Sequence, residues 1–346
     1  MNKQAPPFVP HPWLRNRHAM TLFPRLFPRR GLLQGIPIEP RLFRVAEDSQ
    51  VLGFCHWQAR RSTAHTVVLL HGLEGCSESH YMQGLAAKAY RRGMNVIRLN
   101  QRNCCDTEHL TPTLYNSSLS GDIRSVLTEL ADKDGLEHLW AVGWSMGGNL
   151  VLKMAGEAGA TLPALRGVFG VCPVIDPEAC VQALERHANW IYERHFVVGL
   201  KARLLRKAAL FPARYSIAPL VRISRLRQFD QLYTAPDAGF PSAEEYYDRA
   251  GARHVLSHIS VPTLIITAHD DPFVPFSIFD TEEVRGNPSI TVLATRHGGH
   301  CAFVQQRQPG EDAHWAETRM VSIMSEQEPW PSRPDHRHST GQTGAG

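Results

Sequence analysis

The sequence predicts an α/β fold: a mostly parallel eight-stranded sheet with flanking helices and a helical cap inserted after the sixth strand. Three observations lead there. Short β-rich runs alternate with helical patterns through most of the chain, the signature of right-handed β-α-β crossovers. Residues 173–261 break that rhythm with helical patterning and no convincing strand, too long a stretch to be a structureless loop in a compact domain. Finally, Gly143-Trp144-Ser145-Met146-Gly147 sits between an apolar run and a helix-forming stretch, a strand–turn–helix setting in which a serine can be displayed above a sheet.

Taken in order, residues 1–40 are rich in Pro, Arg and aromatics and read as an irregular arm with one short helix from Asn16 to Leu22. Leu42–Ala46 and Leu52–Trp57 are close enough to pair as a hairpin. The later strands are Thr66–Leu70, Asn95–Leu99, Leu139–Gly143, Gly167–Cys172, Thr263–Thr267 and Ile290–Ala294. The helices expected around them are Ser79–Arg92, Leu119–Asp132, Met146–Gly156, Phe276–Val284 and Ala313–Met324. The core thus comprises residues 41–172 and 262–328, with 173–261 as the cap. Residues 329–346, dominated by Pro, Ser, His, Gly and Thr, read as a disordered tail.

Composition narrows the classes. The chain has 346 residues, 43% of them hydrophobic, with a net charge of 37 − 33 = +4, so most of it can bury a core. That mild excess, with no recognisable binding motif, gives no reason to expect a nucleic-acid partner. No apolar run approaches the roughly 20 residues that span a bilayer, and the first residues lack the apolar core of a signal peptide. The seven cysteines are scattered without a C-x-x-C pair, which suits reduced thiols and a cytoplasmic location.

The chemistry centres on Ser145. Its flanking glycines permit a tight turn, and the following helix end favours the negative charge of acyl transfer. A serine nucleophile needs a base and a group to orient it. The strand ending at Ala268 runs into His269-Asp270-Asp271-Pro272-Phe273-Val274-Pro275. Asp271, four residues before Pro275, is the expected orienting acid, and Asp270 reads as a turn or capping residue. After the last strand comes His297-Gly298-Gly299-His300, where two glycines let the backbone bend so that His300 swings over the sheet as base. His297, His300 and Cys301 could instead ligate a metal, but the rest of a site is missing. The oxyanion hole is expected from the backbone N–H groups of Met146 and Leu73, with His71 bracing the latter's loop. No cofactor is called for.

These residues, in the chain order Ser145…Asp271…His300, resemble the YheT-like α/β-hydrolases, a family related to the ABHD1/ABHD3-type hydrolases. His71-Gly72-Leu73-Glu74-Gly75, Gly143-Trp144-Ser145-Met146-Gly147-Gly148-Asn149, Asp270-Asp271-Pro272-Phe273 and Gly298-Gly299-His300 carry the likeness, with Phe229-Asp230 and Tyr246-Tyr247 between them. The resemblance runs from the arm through Phe303. It implies hydrolysis of carboxylic esters of acyl substrates by Ser145, Asp271 and His300, or transfer of the acyl group to an alcohol; a silent binding scaffold is the contrasting reading. One departure stands out: where the family has a glycine-rich stretch, this chain has Arg102-Asn103-Cys104-Cys105-Asp106.

From Arg194 to Phe229 there are nine basic residues and no acidic one, interleaved with apolar residues at amphipathic spacing. The segment is expected to pack on the body with a solvated basic face, or to form a lid whose basic face meets anionic membrane.

Overall fold

The computed structural model describes residues 6–326 and 329–331. Eight strands form at the expected places: β1 (Glu39–Ala46), β2 (Ser49–His56), β3 (Thr66–Leu70), β4 (Asn95–Leu99), β5 (Leu139–Trp144), β6 (Leu165–Val171), β7 (Thr263–Ala268) and β8 (Ile290–Thr295). They make one sheet in the order β1-β2-β4-β3-β5-β6-β7-β8. β1 and β2 are the expected hairpin, with Leu42 opposite Leu52. β2 meets β4 antiparallel, and every pairing from β4 to the β8 edge is parallel.

The inner strands are buried on both faces, which is why they read as unbroken apolar runs. After the arm helix α1 (Arg17–Leu26), one face is covered by α2 (His80–Arg91) and the other by α3 (Ser120–Asp132) and α4 (Met146–Ala158). Val68 and Leu70 join Ile97 and Leu99 in the core beneath α3 and α4, while Val67 and Leu69 join Val96 and Val142 beneath α2. Between β6 and β7 lie α5 (Pro177–Leu184), α6 (Trp190–Leu210), α7 (Leu226–Phe229), α8 (Ala235–Asp237) and α9 (Ala243–Ala250), linked by turns. The chain then adds α10 (Glu282–Gly286) and α11 (Trp315–Met324), the latter on the α2 face.

Some elements differ from expectation. β1 begins at Glu39 rather than Leu42; as an edge strand with an exposed first half it shows no apolar alternation there. The helix expected over 276–284 is a 3-10 turn at Phe276–Phe279 followed by α10. α1 continues to Leu26, capped by the Asn16 side chain, which accepts from His18 N and Ala19 N. Trp330, placed in the expected tail, packs its ring on Phe169 at 5.5 Å and donates to Thr291 Oγ1 at 3.3 Å; residues 332–346 of that tail lie outside the described residues.

The largest correction concerns the basic stretch. Arg203 and Lys207 on α6 are buried, not solvated. Arg203 pairs with Glu74, Arg206 with Glu108, Arg214 with Asp237, Arg225 with Glu193 and Arg227 with Glu178. Lys207 donates to the carbonyls of Glu108 and Thr111. Only Arg194, Lys201 and Arg222 of the nine lack such a partner among the described residues.

Candidate active site

β5 delivers Ser145 to the centre of the sheet, and α4 begins at the next residue. Ser145 has φ 54° and ψ −118°, a conformation that costs an L-residue on the order of 1–3 kcal/mol and persists only where neighbours enforce it. The enforcement is visible in the flanking glycines. A Cβ on Gly143 would lie 2.1 Å from Gly147 O, and one on Gly147 would lie 2.4 Å from His71 O. Only glycine fits either place.

The loop after β7 supplies Asp271 and the loop after β8 supplies His300. His300 Nδ1 and Asp271 Oδ2 are 2.8 Å apart. The other carboxylate oxygen, Oδ1, accepts from Phe273 N at 3.1 Å and Val274 N at 3.0 Å, so the acid is locked before it meets the imidazole. Asp270 turns the other way: it accepts from Gly299 N at 3.0 Å and faces His297 Nδ1 at 3.3 Å. It therefore shapes the histidine loop without touching His300. Burial would lower the His300 pKa, but the charge and hydrogen bond of Asp271, aided by the Cys172 thiol, outweigh it and raise it. Ser145 and His300 line the same cavity, with no hydrogen bond between them.

The third element is the loop after β3. Leu73 and Met146 line the cavity that also holds Ser145, and neither N–H finds an acceptor among the described residues. His71, fully buried, contacts Gly72 O through Nδ1 at 2.8 Å and accepts from Gln101 N through Nε2 at 3.1 Å. Burial pushes its pKa down to about 4, which leaves it neutral and committed to bracing this loop.

The cap grips the same loop. Glu74, next to Leu73, takes a left-handed φ of 55°. Its Oε1 accepts from Tyr115 Oη at 2.7 Å and from Arg203 Nε at 3.2 Å. The Arg203 guanidinium also lies over the Tyr115 ring at 4.9 Å and donates to Asn103 O. A cap residue that sequence assigned to a solvated face thus fixes the loop beside the nucleophile. The departure at 102–106 belongs to the same assembly: Asn103, Cys105 and Asp106 all adopt φ of 55–62°, the left-handed region that glycine would enter without strain. Cys104 is buried and Cys105 exposed, both free.

Ser145 opens onto two cavities. One lies under α6 and is mostly apolar, walled by Leu184, Phe196 and Leu200 and closed by Asp230 and Tyr247, whose side chains hydrogen-bond at 2.7 Å. The other runs between α1 and α6, past Leu26, Ile191 and His300. Sequence reasoning missed three contributors here. Thr21 of α1 accepts from His300 N at 2.9 Å, and His18 Nδ1 meets Tyr192 Oη at 3.0 Å, so the arm is a wall of the site. Cys172, just past β6, holds its Sγ within 4.8 Å of a His300 ring nitrogen. None of these residue types carries a signal at its position.

The alpha/beta hydrolase fold family matches residues 65–306. The chain is 32% identical over 299 residues to YheT of Escherichia coli (strain K12), which bears an esterase name, covering 86% of this chain and 87% of that one. It is 27% identical to the mouse (Mus musculus) phospholipase ABHD3 over 70% of this chain and 59% of that one. A Saccharomyces cerevisiae medium-chain fatty acid ethyl ester synthase/esterase is 30% identical over 69% of this chain and 58% of its own length. Among solved structures, the Pyrococcus furiosus esterase Pf2001 superposes with a TM-score of 0.56 at 14% identity, over 93% of this chain and 98% of that one, a likeness of fold.

Proposed function

Because the chain belongs to the α/β-hydrolase fold family, among its YheT-like members, we propose that it cleaves carboxylic esters of acyl substrates through a serine mechanism. Ser145 is the nucleophile, His300 the base and Asp271 the acid that orients it. The observation that carries this reading is the 2.8 Å contact between His300 Nδ1 and Asp271 Oδ2, in a cavity shared with a serine held at φ 54°.

In this scheme Ser145 Oγ attacks the ester carbonyl while His300 takes its proton. The carbonyl oxygen gains negative charge and is received by the N–H groups of Leu73 and Met146, with the N-terminus of α4 adding its positive dipole end. Asp271 stabilises the imidazolium so formed. His300 then passes the proton to the departing alcohol, and water, activated by the same imidazole, releases the acid and restores Ser145. Serine–histidine contacts commonly lengthen without substrate, which accommodates the separation of Ser145 and His300. The acyl chain lies in the apolar cavity under α6, and the alcohol leaves through the cavity between α1 and α6. Exposed Leu26 and Ile191 at that second mouth suit an apolar substrate.

A second reading, acyl transfer to an alcohol, is favoured by the yeast relative's name as both synthase and esterase. It uses the same groups, with the alcohol replacing water at the acyl-enzyme. A chain-length panel of p-nitrophenyl esters, with and without added alcohol, tests both. Hydrolysis that vanishes in Ser145→Ala is the expected result; new ester appearing with alcohol assigns transfer. Turnover of no ester by the wild type contradicts the proposal.

A further inference from the structure

Three soft donors converge at the base. Cys172 follows the last residue of β6, and Cys301 follows His300. The two Sγ atoms and a ring nitrogen of His300 all lie within 4.8 Å of one another. Both cysteines hold left-handed backbone, with φ 45° at Cys172 and 62° at Cys301, a conformation that costs a non-glycine residue about 1–2 kcal/mol. The two turns interlock. Cys301 N donates to Cys172 Sγ at 3.4 Å, the Cys301 thiol reaches Val171 O at 3.5 Å, and the Cys172 thiol reaches Gly299 O at 3.9 Å. His297, the other imidazole of this loop, faces Asp270 and is no part of the group.

We propose that Cys172, His300 and Cys301 form a binding site for a thiophilic divalent cation, Zn²⁺ by donor type, whose occupation reversibly silences the catalytic base. Two sulfurs and an imidazole are a donor set suited to Zn²⁺, at about 2.3 Å to sulfur and 2.0–2.1 Å to nitrogen, with a fourth position left for water. His300 Nδ1 is engaged by Asp271, so Nε2 is the nitrogen left to bind the ion. The result is a carboxylate–histidine–metal chain in which Asp271 fixes the tautomer and the ring orientation.

The step balances without redox chemistry. Each thiol gives its proton to solvent, the neutral imidazole offers its free lone pair, and three of the ion's water ligands leave as two metal–sulfur bonds and one metal–nitrogen bond form; two protons are released, and a third where the imidazole starts protonated. Two thiolates cancel the charge of the dication, so the occupied site adds no net charge to a largely buried place. The silencing follows from the lone pair: a nitrogen bonded to the ion cannot accept the proton of Ser145. That consequence rests on the assignment of His300 as base; the binding does not.

The test uses the full chain, reduced and stripped of metal, titrated with Co²⁺ and then Zn²⁺. Expected are one ion per chain, a near-ultraviolet thiolate-to-cobalt charge-transfer band, and displacement of that band by Zn²⁺. Zn²⁺ should lower ester hydrolysis at least about tenfold, with recovery on adding chelator. Cys301→Ser should keep the metal-free activity while weakening the ion's binding and inhibition at least about tenfold, and adding Cys172→Ser should abolish the band. Cys301→Ala serves as a second variant, and a thermal scan confirms that each is folded. Absence of the band, inhibition unchanged in the double variant, or a loaded protein with full activity would each overturn the proposal. A disulfide between the two cysteines, formed in place of ion uptake, would do so as well. Should the wild type show the band once cobalt is added yet hydrolyse no ester when metal-free, the function reading fails and the site stands.

Discussion

Replacing Arg203 with alanine should do more damage than any change at an exposed cation of the cap. Its side chain is 8% exposed and its partner Glu74 11%. Removing the guanidinium strands a buried carboxylate whose remaining side-chain partner is the Tyr115 hydroxyl. Breaking a buried pair in this way costs about 3–5 kcal/mol, most of it the penalty of the charge left behind. For a chain of 346 residues, with about 2.1 cal/mol/K of unfolding entropy per residue, that is a fall in Tm of roughly 4–7 °C. The loss should also reach catalysis, because Glu74 adjoins Leu73; at the limit, one lost oxyanion donor costs about 10²–10³ in kcat. Scanning calorimetry and steady-state kinetics read the two effects. Arg249→Ala is the control: its side chain is 65% exposed and pairs with Glu245 one helical turn away, an interaction of about 0.3–0.5 kcal/mol. Replacing both Arg203 and Glu74 with methionine should recover much of the stability, since no charge is then stranded. If Arg203→Ala proves as mild as Arg249→Ala, or the double variant is worse than the single, the clamp between cap and loop is misread.

The remaining predictions concern the acid, the arm and the cap surface. Asp271→Asn should lower kcat by about 10⁴ with little change in KM, while Asp270→Asn, which only shapes the loop, is far milder; equal losses would sink the distinction. Glu317 is buried, and although burial would raise its carboxyl pKa, Arg29 and Lys88 hold it down to about 2. Its folded pKa is depressed, so its contribution, on the order of 3 kcal/mol, is present above pH 4.5 and lost as pH falls toward 2. Acid titration of stability should be flatter through that window in Glu317→Gln, and identical slopes would refute the linkage. With most cations of α6 and the following turns already paired, sedimentation with anionic vesicles should not exceed that with neutral ones, and a salt-sensitive preference for anionic vesicles would reopen the membrane reading.

The parts of this molecule that could be read in advance share a physical reason. Inner parallel strands are buried on both faces, so β3, β4, β5 and β7 appear as apolar runs with sharp ends. The turn at Ser145 is legible because backbone clashes at Gly143 and Gly147 leave no other residue type. Asp271 and Asp270 could be told apart by spacing to Pro275, and the geometry puts Asp271 against His300. What failed was non-local. The basic stretch has no acidic residue within it, yet its partners Glu74, Glu108 and Asp237 are brought from outside the segment. A charge pattern cannot show which face a distant carboxylate will meet. Cys172 was invisible for the same reason, lying on β6's exit while its neighbours lie past β8. The 102–106 departure was seen, but the left-handed backbone at three non-glycine residues could not be deduced from their types.

The central claim is that Ser145 becomes covalently acylated, and the most direct measurement is intact-protein and peptide mass spectrometry after treatment with a fluorophosphonate. One adduct per chain, carried by the peptide containing Ser145, absent in Ser145→Ala and slowed strongly in Asp271→Asn, is the predicted result. An adduct elsewhere, or labelling that survives Ser145→Ala, would contradict it.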